Sequence, residues 1–309
     1  ATSMGGAYVS VANDVSSAYW NPAGLAYINS KQTMFMYQPW IVGINNIYAG
    51  VAINYPLYGT LALTMNYMDY GDEAVTTVSS PEGTGEFYSA SEFAASVSYG
   101  RRIVNWFSFG ASAKYISSNI WHMSANAIAF DLGVLVTTDF FSPTGKRNQG
   151  MKIGMSISNY GTRLRYDGMD LLVPIDPNPN EYGNFDDVEG LYNTSEWELP
   201  LIFRLGFSVQ PIYTNNLRLL VAADALHPNN NNESINIGTQ LTYLQPGKLN
   251  LYLRGGYKGL FLKDSEYGLT YGGGLRIYLS DFNFFDVDYT YKTMGLLGDV
   301  HLYTFKFSF

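Results

Sequence analysis

The chain contains no cysteine. That absence removes disulfides, thiolate nucleophiles and cysteine-ligated zinc from consideration. Charge is scarce: Asp, Glu, Lys and Arg make up 14% of 309 residues, against about 25% in a typical soluble domain. The formal net charge is −8, the wrong sign for the basic stripe of a nucleic-acid binder, so no nucleic-acid partner is expected. Long apolar runs are missing as well. No stretch approaches the ~18 to 20 consecutive apolar residues of a helical membrane span, and runs such as Leu132 to Val136 are short and broken by glycine or polar residues. No secretory leader opens the chain. It begins at Ala1 with small and polar residues and is expected to be already processed.

What is abundant is tyrosine, phenylalanine and glycine, at 26, 18 and 31 residues, with aromatics reaching 16%. This suits a surface that meets lipid between aromatic belts. An aromatic-rich secreted β-sandwich would share the composition, so composition alone leaves both architectures open.

Hydrophobic periodicity is more specific. In the last segment His301, Tyr303, Phe305, Phe307 and Phe309 fall on one face, and Leu302, Thr304, Lys306 and Ser308 on the other. Phe285, Val287, Tyr289 and Tyr291 alternate in the same way with Asp286, Asp288, Thr290 and Lys292. Period-2 alternation predicts strands at 32–38, 46–55, 59–69, 90–100, 105–117, 126–139 and 150–159, then at 198–210, 216–226, 233–244, 248–258, 266–279, 283–293 and 300–309. Most match the ~9 to 11 residues that a tilted strand needs to cross hydrocarbon, and the even total is that of bacterial single-chain barrels. Links after even-numbered strands are mostly tight, as at 56–58, 245–247 and 280–282, while the longest loops, near 70–89 and 160–197, follow odd-numbered strands. Barrels sort their loops this way, with short periplasmic turns and long external loops. A sandwich has no reason to. The expectation is an all-β, fourteen-stranded antiparallel transmembrane barrel over 32–309, with 1–31 as an N-terminal hatch, in a bacterial outer membrane and in contact with its lipid.

The polar faces carry mixed charge. Arg204, Arg218, Asp224, Arg254, Arg276, Asp286 and Asp288 are expected to form a lumen network that ties the wall together. A selective ion path is the sharper alternative. No cofactor, no metal site and no catalytic set is expected. The three histidines, His122, His227 and His301, are far apart and lack paired metal spacing, and no serine–histidine pair with an orienting partner stands out for a lipase. Ser142 to Lys146 has the end of a phosphate loop but Phe140 where its first glycine should be.

The first 31 residues are not strand-like. Met4, Gly5, Gly6 and Ala7, then Asn13 and Asp14, then Ala18, Tyr19, Trp20, Asn21, Pro22, Ala23, Gly24 and Leu25 resemble the amino-terminal hatch of FadL-type barrels. Gly5 and Gly6 permit tight turns, Asn21 with Pro22 starts one, and Gly24 can cap a short helix. Further along, Asp224, His227, Pro228, Asn229, Asn231, Asn232, Glu233 and Gly238 resemble a stretch of the PorV-like branch, as do Arg254 to Tyr257, Gly272 to Leu275, Asp288 to Tyr291, and Gly298, Asp299 and His301. The chain departs from that branch in having Asn230 and Asn231 where an acidic residue is common, and it is short for FadL itself.

The resemblance implies a monomeric plugged barrel that collects cargo proteins in type IX secretion. FadL-like passage of hydrophobic molecules, with a bound lipid or fatty acid, is the alternative, and a structural subunit of a surface assembly is a third. The acidic 160–197 loop, with Asp167, Asp170, Asp176, Glu181, Asp186, Asp187 and Glu189, reads as a solvated external lid rather than a calcium site. Its aromatics Tyr182, Phe185, Tyr192 and Trp197 are the candidate contacts for a protein partner.

Overall fold

The structure is a computed structural model that describes residues 1–177, 180, 188–245, 247–263, 265–280 and 283–309. Its wall consists of β1 (Gln32–Pro39), β2 (Asn45–Tyr55), β3 (Gly59–Ala74), β4 (Phe87–Val104), β5 (Phe107–Ile120), β6 (Met123–Thr137) and β7 (Lys152–Gly161). It continues with β8 (Ile202–Tyr213), β9 (Leu217–Pro228), β10 (Ser234–Gln245), β11 (Leu249–Leu260), β12 (Leu269–Tyr278), β13 (Phe284–Thr293) and β14 (Asp299–Ser308). Each strand pairs antiparallel with both chain neighbours, and β1 pairs with β14 to close the ring. The closing ladder runs from Gln32 opposite Ser308 to Tyr37 opposite Tyr303. Reciprocal bonds between Lys31 and Phe309, at 3.1 and 3.0 Å, extend it by one more pair.

The alternation has a direct spatial meaning. Phe35, Leu63, Phe130, Leu132, Phe207, Leu253, Tyr303 and Phe305 point outward and are exposed, while Ala52, Ala62, Ala129, Asp131, Asp224 and Asp286 on the intervening positions are buried. A belt of exposed apolar side chains this extensive would be an aggregation hazard in water. Facing lipid it is the favourable arrangement. No helix among the described residues is long and apolar enough to cross a membrane; the crossing is made by strands.

All fourteen predicted strands are present, with shifted ends. β3 and β4 run on to Ala74 and from Phe87, so the loop expected over 70–89 is largely a hairpin standing out from the wall. Pairing resumes there after a register shift between Asp69 and Asp72. Once outside hydrocarbon a ladder can continue in water, and alternation of apolar residues no longer marks it. Described parts of the segment between β7 and β8 are also paired. Asp167–Gly168 pairs with the start of β6, Leu172–Ile175 pairs with Val188–Leu191, and Leu164 bridges Trp197. The turn between β6 and β7 is long, as in the sequence reading, and its Ser142 hydroxyl donates to the Lys146 carbonyl at 2.8 Å.

Deleting residues 299–309 leaves β1 and β13 with open edges, which hydrocarbon does not tolerate. The truncated chain is expected to lose the heat-modifiable gel migration of a folded barrel. A truncation that still shifts on boiling would show that β14 is not needed for closure.

Candidate functional site

Inside the wall, residues 1–30 form a compact, mostly buried segment of short 3₁₀ and α turns. Buried peptide groups need partners, and the wall supplies them. The N–H groups of Tyr8 and Val9 both donate to Asp224 Oδ2, at 2.7 and 2.8 Å. Gly5 N–H donates to Thr270 Oγ1 at 2.8 Å, and the Ser156 hydroxyl donates to the Trp20 carbonyl at 3.1 Å. Asn21 is fully buried; its amide donates to the carbonyls of Val9 at 2.9 Å and Val134 at 3.1 Å, while Oδ1 accepts from Ala23 N–H. Pro22 opens the 3₁₀ turn that Asn21 caps.

The approach of segment to wall leaves no room for side chains at certain glycines. Gly5 sits at φ 66°, and a Cβ there would lie 2.6 Å from the Tyr257 carbonyl oxygen. Gly6 is also left-handed, at φ 83°. Gly24 packs against the Ala12 carbonyl, and on the wall Gly133 meets the Asn21 side chain and Gly154 the Val9 carbonyl. Gly274, by contrast, makes space for the Asp288 carboxylate rather than for the segment.

The lumen charges divide into groups. Arg276 holds Asp286 through two bonds, Nε to Oδ1 at 2.7 Å and Nη2 to Oδ2 at 2.9 Å. Arg254 bridges Asp288 and also donates to Gln240 Oε1 at 2.7 Å. Lys306 joins both pairs to the N-terminal segment: its Nζ lies 3.0 Å from Asp14, 3.3 Å from Asp286 and 3.7 Å from Asp288. Burial alone would raise the Asp14 carboxyl, but Lys306 and the Ser16 hydroxyl outweigh it and hold the group well below the ordinary carboxylate range. Of the remaining sequence-predicted members, Asp224 holds the N-terminal segment, Arg204 donates to the Ser158 hydroxyl at 2.9 Å beside the Trp20 ring, and Arg218 lies over Tyr213. The seven therefore do not form one network. A separate cluster of Lys114, Asp131 and Asn159 closes the bulge between β6 and β7, with Lys114 Nζ 2.7 Å from Asp131 and 2.6 Å from Asn159.

A cavity of about 1140 Å³ lies between the N-terminal segment and the whole wall except β4, β5 and β6, against which residues 22–27 pack. It extends from the periplasmic turns at Asn215 and Ser280 to Trp40 and Tyr267 beneath the external loops. Much of its lining is amide or charged, including Gln210, Arg218, Asn250 and Lys258.

On the external side the histidines are separate, each with its own partner. His122 Nδ1 lies 2.9 Å from Asp170, His227 Nδ1 lies 3.0 Å from Glu233, and His301 Nδ1 lies 2.8 Å from the Tyr289 hydroxyl. No cluster of metal-ligating side chains occurs among the described residues. Tyr192 and Trp197 are both exposed; Trp197 is also bonded through its backbone to Leu164, with its ring 5.2 Å from that of Tyr166. Tyr182 and Phe185, with Glu181, Asp186 and Asp187, lie outside the described residues. The sequence reading did not single out Asp14 as a partner of Lys306, nor Lys114, Lys152 or Thr270. Polar residues on inward strand positions were the available signal, but which of them meet across the lumen has no signature in one sequence.

Two outcomes follow from this geometry. Asp224→Ala orphans the Tyr8 and Val9 N–H groups at about 1–3 kcal/mol each, so the N-terminal segment should become protease-sensitive in the intact barrel while the wall stays heat-modifiable. Continued protection would show that other contacts suffice. A carboxyl held below its unfolded value of about 4 adds stability above that value and loses it as pH falls through the folded one. Melting temperature should therefore decline below about pH 4 through this contact, and Asp14→Asn should lose that part of the acid limb. Parallel acid limbs in variant and parent would remove Asp14 from the account.

Comparison with solved structures gives three close matches in architecture. The toluene transporter TbuX of Ralstonia pickettii superposes with TM-score 0.58 at 10% identity, covering 99% of this chain and 97% of that one. The toluene transporter TodX of Pseudomonas putida gives 0.57 at 10% identity, with 99% and 95% covered. A FadL homologue of Pseudomonas aeruginosa gives 0.55 at 10% identity, with 98% and 95% covered. At such identities the likeness establishes the FadL-type fold and nothing finer. No curated protein matches the chain. The family model for the type IX secretion system protein PorV matches residues 1–196, more than half of the 309. This chain thus belongs to the PorV family, outer-membrane β-barrels of FadL-type fold rather than enzymes.

Proposed function

We propose that this barrel works at its external face, holding a partner or cargo protein during type IX export or surface attachment, with residues 1–31 acting as a fixed plug. The observation that supports the reading is a run of neighbouring external hairpins with exposed apolar tips, although the turns at Leu57 and Phe141 on the opposite side expose apolar side chains as well. Three hairpins that follow one another around the external rim each present an exposed apolar tip. Val42, between β1 and β2, is 84% exposed; Leu296, between β13 and β14, is 93% exposed; Phe261, between β11 and β12, is 81% exposed. Val42 and Phe261 also adopt left-handed backbone, at φ 54° and 68°, which is uncommon for non-glycine residues and an outlier for a β-branched one. The Phe261 ring offers the large buried area an interface anchor needs, whereas Val and Leu are under-represented among such anchors and act here as its apolar neighbours. Tyr192 on the long loop is a further candidate contact.

The FadL-like alternative, passage of a hydrophobic molecule, draws support from the cavity beside the plug. Its lining mixes amide and charged groups with apolar ones such as Met34, Met68, Leu220 and Leu226, and every strand of the wall pairs with both neighbours, which leaves no lateral gap of unpaired backbone. The partner-holding reading involves no catalysis.

Affinity purification in mild detergent with mass spectrometry tests it. A secretion-system protein or secreted cargo should co-purify with the parent and be lost from the triple variant Val42→Asp, Phe261→Asp, Leu296→Asp, whose barrel remains heat-modifiable. Recovery of the barrel alone, with lipid or fatty acid bound, would overturn the reading in favour of transport.

A further inference from the structure

We propose that Lys258, Lys292 and Trp40 form a binding site for an anionic oxygen group, a carboxylate or a phosphate, at the external end of the lumen. The inference does not depend on the partner-holding reading. β12 lies between the strands that carry the two lysines, and both ammonium groups reach the same ring: Lys258 Nζ is 4.0 Å and Lys292 Nζ 4.9 Å from the Tyr267 centroid. Lys292 Nζ is also 5.9 Å from the Trp40 ring.

Lys292 is only 5% exposed. Neither lysine has an ion pair among the described residues, in contrast to Lys114 and Lys306 in the same lumen. Glu266 on the adjoining loop directs Oε2 to the Leu296 N–H at 2.8 Å instead. The indole N–H of Trp40 is buried without an acceptor.

A buried ammonium is costly unless it is paired. One tyrosine ring is a weaker partner than a carboxylate, and here it serves two like charges that repel each other. All of these groups line the one cavity. Two ammonium groups and an indole N–H make a set of donors with no acceptor among them. An oxyanion placed between them would satisfy the donors and cancel the repulsion, and charge-assisted bonds are the strong ones. Arg254, Arg276 and Lys306, by contrast, carry the carboxylate lattice.

The test uses the full chain in a neutral detergent at constant ionic strength. Inorganic phosphate and, separately, acetate are titrated while tryptophan fluorescence is followed in the parent and in Trp40→Phe. A saturable change that disappears in Trp40→Phe is expected. Lys292→Met and the double variant Lys258→Met, Lys292→Met should weaken it by roughly tenfold or more, while Lys292→Arg, which keeps the charge, should retain it. Without added anion, Lys292→Met should melt no lower than the parent, because it removes an uncompensated buried charge.

The source of the anion is read by repeating the titration with micelles doped with an anionic phospholipid. Saturation by phosphate or acetate identifies a soluble anion, and saturation by the lipid alone identifies a headgroup. Absence of a saturable response to every probe would overturn the proposal, as would a response unchanged in the double methionine variant. The lysines would then be structural partners of Tyr267.

Discussion

A peptide group left unpaired in hydrocarbon costs several kcal/mol, and this cost governs the molecule. It forces the sheet to close, so β14 must meet β1 and every strand must have two neighbours. Closure in turn inverts the usual order of a protein. Leu132, Leu253 and Phe305 go outside, and Asp131, Asp224 and Asp286 go inside. Once the interior is polar it needs its own bookkeeping of hydrogen bonds and charge, and the N-terminal segment and the lumen lattice provide it.

The interior is held by a few polar side chains that serve several partners at once. Asp224 takes two backbone N–H groups, Asn21 links Val9, Val134 and Ala23, and Lys306 touches three carboxylates. Such multi-partner groups are costly to leave half-satisfied, so the N-terminal segment has a single well-defined seat. The wall accommodates it by giving up side chains, as at Gly133 and Gly154.

Strand identity was readable because outward and inward faces differ in hydropathy at a period of two, as at Phe285 to Lys292. Strand ends were not, because β3 and β4 continue into water, where the pattern lapses but pairing does not. The polar side of each strand was equally visible. The partners across the lumen were invisible: Asp14 and Lys306 are 292 positions apart, and Arg204 and Arg218 share the charge of the lattice without joining it. Trp197 shows a different limit: that its backbone is bonded to Leu164 and its ring packs near Tyr166 had no signature in the sequence, while its side chain stays 40% exposed.

The seat of Lys306 has a consequence for assembly. This residue lies on β14, the strand that completes the ring, and its ammonium grips Asp14 near the opposite end of the chain. β14 therefore both closes the seam with β1 and holds the N-terminal segment through Asp14. Until β14 docks, Asp14 has no lysine to face and β1 has a free edge. A barrel closed around an unseated N-terminus leaves Asp14 without its lysine, and leaves Asp286 and Asp288 facing Arg254, Arg276 and Lys306, one cation in excess.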